Sequence, residues 1–117
     1  MKRENQKYII INDEEVLIDK ECIDLVLYFN NAGLKTCMCC SGHGIQNFRI
    51  IFDDTVMDND ICNFLKEKVN KFNHSIFLGK FSKWTRIISG EIKQTWMYEA
   101  EKISFAQIDY KRLKEYE

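Results

Sequence analysis

Short apolar stretches alternate with charged ones along the chain, and the period of the alternation changes from place to place. Residues 7–11, KYIII, make an apolar run ended by NDEE, which predicts a buried strand. From residue 19 the period becomes helical. Asp19 is placed to cap a helix running to Asn31, with Cys22, Val26 and Phe29 on one side and Gly33 supplying the left-handed position beyond its end. LKTCMCC then reads as a strand, SGHG as a turn, and NFRIIF as a second strand whose Phe48, Ile50 and Phe52 alternate toward one face. The two strands predict a hairpin.

DDTVMDND supplies capping residues for a second amphipathic helix over ICNFLKEKVNKFN. There Ile61, Phe64 or Leu65, Val69 and Phe72 recur at helical spacing against Lys66, Glu67 and Lys71. SIFLGKFSKWTRIIS and IKQTWMYEAE read as extended segments joined at Gly90, a second hairpin whose register the alternation leaves open. Ser104 with Gln107 forms a capping-box pattern ahead of a short C-terminal helix, FAQIDYKRLKEYE. The order β-α-β-β-α-β-β-α predicts an α+β fold, a mostly antiparallel sheet with helices packed on it.

Composition adds bounds. At 117 residues and 45% hydrophobic, the chain suits one core and a single domain over 1–117. A net charge of −1 gives no global argument for a polyanionic partner. No apolar run approaches the roughly 20 residues of a membrane helix, and the N-terminal one is too brief for a signal-peptide core. The expected location is the cytoplasm of a bacterial host cell. Thirteen lysines against four arginines, with no proline, fit AT-rich coding in a low-GC bacterium or one of its phages.

The candidate chemistry is concentrated in TCMCCSGHG, residues 36–44. In a reducing cytosol its thiols suggest metal binding, reactivity or plain burial rather than a disulfide framework. Regular alternation puts Cys37 and Cys39 on one face of the strand, and the glycines of the turn allow Cys40 and His43 to fold back toward them. Zinc held by Cys37, Cys39, Cys40 and His43 is one reading, with Cys22, Cys62 and His74 as further donors. Burial of the cysteines as small apolar groups is a second. A reactive Cys40 with His43 as its base is the third, although no orienting carboxylate or amide lies within this stretch. Cys22 in the first turn of its helix aligns with Val26 and reads as core.

GLKTCMCCSGHG followed by FRIIF, and the later TWMYEAE, resemble small phage and prophage proteins of low-GC bacteria in which a glycine-ended helix leads to a strand, a CSGH turn and a second strand. The resemblance covers residues 24–52 best. It implies a small binding protein that occupies a host protein surface, as anti-CRISPR proteins do. Cys40, Ser41 and Gly42 are also distantly similar to the SCSGR turn of the wybutosine-synthesis methyltransferase-like family, where arginine stands at the position of His43; that likeness implies an RNA-directed protein.

Charge is unevenly spread. Asp53, Asp54, Asp58 and Asp60 fall in a stretch without bases, and an anionic surface there suits the basic channel of a CRISPR effector nuclease. Residues 66–86 are basic with aromatics interleaved, and Lys80, Lys83, Trp84 and Arg86 form a second candidate surface, for an acidic protein face or for RNA. There is no phosphate-binding glycine loop, helical His-Glu pair or nucleophile elbow, so a binding protein is expected and an enzyme is not.

Overall fold

The computed structural model describes residues 6–42, 46–69 and 77–115. Strands β1 (Gln6–Ile11) and β2 (Glu14–Asp19) form an antiparallel hairpin. Asn12 and Asp13 join them at φ 50° and 67°, the left-handed pair that a tight two-residue hairpin turn requires and that Asn and Asp tolerate well. The sequence reading ended a strand at NDEE and missed β2. The turn is hidden inside an acidic run, and the following EEVLID is too polar at its start to stand out as a strand.

Asp19 does not cap a helix. Its side chain makes no cap bond; a 3₁₀ turn, Lys20–Cys22, intervenes before helix α1 (Ile23–Asn31). The far end of α1 closes as expected. Gly33 takes φ 88°, its amide reaches Asn30 O at 3.1 Å, and the Leu34 amide reaches Phe29 O at 2.8 Å. Asn30 then ties the helix to the next strand, donating to Thr36 Oγ1 at 2.9 Å and accepting from the Thr36 amide at 3.2 Å.

Four strands, β3 (Thr36–Cys40), β4 (Phe48–Phe52), β5 (Lys80–Ile88) and β6 (Glu91–Ala100), form one antiparallel sheet in the order β3-β4-β6-β5. Ser89 and Gly90, both at positive φ, make the β5–β6 turn, and Ile88 lies opposite Glu91. Helix α2 (Asp58–Phe64) runs into a π-helical turn over Leu65–Val69. Phe72 and His74 lie outside the described residues. Helix α3 (Ile103–Glu115) begins one residue before Ser104, so the Lys102 carbonyl receives the first helical amides and Ser104 sits inside the first turn.

The alternation read in β4 holds: Phe48, Ile50 and Phe52 are fully buried. All three helices add to the core on that face, with Leu25, Val26 and Phe29 from α1, Ile61 and Phe64 from α2, and Ala106 and Leu113 from α3. Phe29 is its centre, packing edge-on against Phe52 at 5.1 Å between ring centroids and against Phe64 at 5.7 Å. The fold is therefore α+β, with two antiparallel sheets and three α-helices in the described residues.

One polar group is buried at the seam between α3 and the sheet. The Asp109 carboxylate accepts the Leu78 amide at 2.8 Å, the Gly79 amide at 2.7 Å and the Tyr98 hydroxyl at 2.7 Å. It fixes the start of β5 against β6. Gly79 suits this place because a Cβ there would lie 2.3 Å from the buried Tyr98 ring.

Candidate functional site

The three cysteines of β3 go to three surroundings rather than one. Register with β4 shifts between Thr36 and Met38, so Cys37 sits at a bulge and the regular alternation that would align it with Cys39 is broken. Cys37 is exposed; its thiol lies 3.7 Å from Phe52 O and receives Arg86 Nη1 at 3.2 Å. Cys39, opposite the buried Ile50, packs against the core. Cys40 is paired with Arg49 and accepts the Gly42 amide on sulfur at 3.4 Å. Among the described residues, no three His, Cys, Asp or Glu side chains are placed to hold a metal ion. Cys37, Cys39 and Cys40 are thus held by separate partners among the described residues. His43, their expected partner both as ligand and as base, lies outside the described residues, as does His74. Cys62 is exposed on α2.

The turn after β3 is held from elsewhere. The buried Asp19 carboxylate accepts the Ser41 amide at 3.0 Å and Gln6 Nε2 at 3.1 Å. Gly42 takes φ 81°, and a Cβ on it would meet Asn47 O at 2.9 Å. Behind the turn, interaction with the Cys39 thiol, followed by burial and the charges of Cys39, Asp19 and Cys40, pushes the Cys22 thiol far up, while interaction with Cys22 lowers the Cys39 thiol.

The four aspartates are largely engaged within the protein. Asp53 Oδ2 accepts the Thr55 amide at 3.1 Å and its hydroxyl at 2.7 Å, and Asp60 accepts the Met57 amide at 2.8 Å at the start of α2. Asp54 pairs with Lys93 at 2.9 Å. Asp58 pairs with Lys83 at 2.8 Å and accepts Trp96 Nε1 at 2.9 Å. Bonds from Lys83 and Trp96 hold the Asp58 carboxyl below its ordinary value.

The basic and aromatic candidates divide between the two faces of the sheet. Phe81, opposite Tyr98, faces the helices, and alternation puts Lys83 on the same side, where its ammonium lies 5.6 Å from the Trp96 ring centre. Lys80, Trp84 and Arg86 share the other side. There Arg49 lies over Trp84 at 5.2 Å and bonds Glu99 at 3.0 Å. Thr95, opposite Trp84, and Met97, opposite Ser82, are buried on that face although outside the helix-side core. Arg86 on β5 reaches Cys37 on β3 across two intervening strands, a flat distance of roughly 14 Å at about 4.8 Å per strand, so the sheet must coil to close it.

Beyond the end of β4 the β5–β6 hairpin continues alone to its turn. Its directly opposed Ile87 and Ile92 are 76% and 77% exposed, and Trp84, three residues before Ile87 and on the opposite face, is 38% exposed. The sequence reading missed Ile87, Ile92, Arg49 and Glu99. Its unresolved hairpin register was the missing signal, since only the pairing shows which side chains meet.

No curated protein and no solved structure matches the chain. Residues 6–117 match the family described as YoqC prophage protein, and the chain belongs to that family.

Proposed function

We propose that this prophage protein works by binding, and that the distal β5–β6 hairpin docks it on a host protein. The observation that carries the reading is the opposed pair Ile87 and Ile92, left in water at the tip of strands whose bases are fully buried at Met97 and Tyr98. Two directly opposed, exposed isoleucines give an apolar anchor at the tip of the hairpin. The four aspartates, turned to local bonds and ion pairs, offer less free charge to a partner than their sequence density suggests. A host defence protein such as a CRISPR effector nuclease is the class of target such a binder would block.

A second reading has one observation of its own: Arg49, Trp84 and Arg86 lie together on the helix-free face, where a base could stack and a phosphate pair. A pull-down from a low-GC bacterial lysate separates the two. Host-protein capture that survives high salt and disappears with Ile87→Ser/Ile92→Ser supports hairpin docking. Ile10→Ser, at another exposed isoleucine, is the control and should leave capture intact. Recovery of RNA that is lost steeply with salt and with Trp84→Ala would replace the first reading by the second.

A further inference from the structure

We propose that the groove between β2 and β3 takes an extended segment of a partner protein as an added strand, with apolar side chains at alternate positions and a basic residue at the open end. The groove holds about 670 Å³. It lies between two strand edges: β2 pairs only with β1 and β3 only with β4, so among the described residues neither has a strand on the side that faces the other. A strand, a helix and a second strand in succession ordinarily bring both strands into one sheet, side by side or with a third strand between them. Here β2, α1 and β3 leave that place open. The two strands meet at their C-terminal ends, where Asp19 accepts the Ser41 amide at 3.0 Å. They part toward their N-terminal ends, since Asn12, Glu14, Lys35 and Thr36 line the groove and Asp19 and Cys40 do not.

The lining identifies what fits. Side chains alternate along a strand, so a cavity against the face of a sheet is lined by every second residue. This one is lined by consecutive residues, 16–18 of β2 and 36–39 of β3, and so runs along their edges. Backbone amides and carbonyls that β1 and β4 do not use therefore border it on both sides. An extended chain is the ligand that pairs with two such edges at once. It would join the two sheets into one, in the order β1-β2-guest-β3-β4-β6-β5. Beneath the groove, the buried Ile18 and Val26 of α1 supply an apolar floor for every second side chain of the guest. At the open end Glu14 and Asp53, with Asp13 in the adjoining turn, outnumber Lys35, which favours a cation on the guest there.

The site is separate from the β5–β6 hairpin, and the full chain tests it. The probe is a library of linear peptides displayed on phage and panned against immobilised protein, the best binder then being synthesised. Expected binders alternate apolar and polar residues and carry lysine or arginine at one end. The bound peptide should slow amide hydrogen exchange in β2 and β3. N-methylation of its backbone at alternate residues, which keeps every side chain, should abolish binding. Glu14→Lys, at an exposed position, should weaken binding about fivefold, whereas Ile87→Ser/Ile92→Ser should leave it unchanged. Recovery of no binder above background, full binding by the N-methylated peptide, or exchange protection confined to other elements would each overturn the proposal.

Discussion

Asp109 holds two backbone amides with one side chain. Its carboxylate satisfies two amides and a buried phenol, so Asp109→Asn, which turns an acceptor into a donor facing donors, should cost about 2–3 kcal/mol in urea denaturation. Its titration also has a definite sign. Burial raises the Asp109 carboxyl above its ordinary value against the opposing pull of its three donors and Arg112. Its contribution is full below the unfolded value and lost as pH rises through the folded one. Glu99 runs the other way: burial would raise its carboxyl, but bonds from Asn47 and Arg49 outweigh it and hold it low. The stability from Glu99 is present above its ordinary 4.5 and lost as pH falls through the lower folded value. Denaturation curves measured at successively lower pH should show Glu99→Gln losing less stability than the parent below about pH 4.5. At this scale the sequence was least legible. Asp19 has the composition of a helix cap, yet its carboxylate serves Ser41, 22 positions away, and no local pattern encodes a bond across that separation.

Among the elements, β4 was read correctly because one of its faces is wholly apolar, so its period of two survives in the sequence. Ile50→Ala should cost about 2–5 kcal/mol, since Ile50 is fully buried between Cys39 and Tyr98 in the register; an unchanged melting temperature would contradict that placement. The β5–β6 hairpin was legible as two strands and a glycine turn but not in register, because Lys83 shares a face with Phe81 and cation and aromatic alternate on both sides. At the start of β5, Gly79→Ala should lower stability by about 2 kcal/mol, read from a thermal or urea midpoint, because the Tyr98 ring has no space to yield. The cysteine strand shows the limit of periodicity most directly. Alternation aligned Cys37 with Cys39, and one extra residue at the bulge was enough to send them to different partners.

For the molecule as a whole, fold class was legible because each helix and most strands carry their own periodic signal, whereas the working surface depends on how distant strands are paired. Ile87 and Ile92 look like ordinary strand residues until the hairpin is seen to outrun β4. Exchanging both for serine should leave stability within about 0.5 kcal/mol while abolishing host-protein capture, a separation that urea denaturation and the pull-down together would register. The Asp109 seam reaches further than stability. The groups it anchors lie at residues 78, 79 and 98, but the carboxylate itself is in the last helix, so a growing chain exposes the whole β5–β6 hairpin before its clasp has been made. During translation the docking hairpin is therefore made before the clasp at its base, and a released chain truncated after residue 102 should show protease cleavage near residue 79 that the full chain lacks.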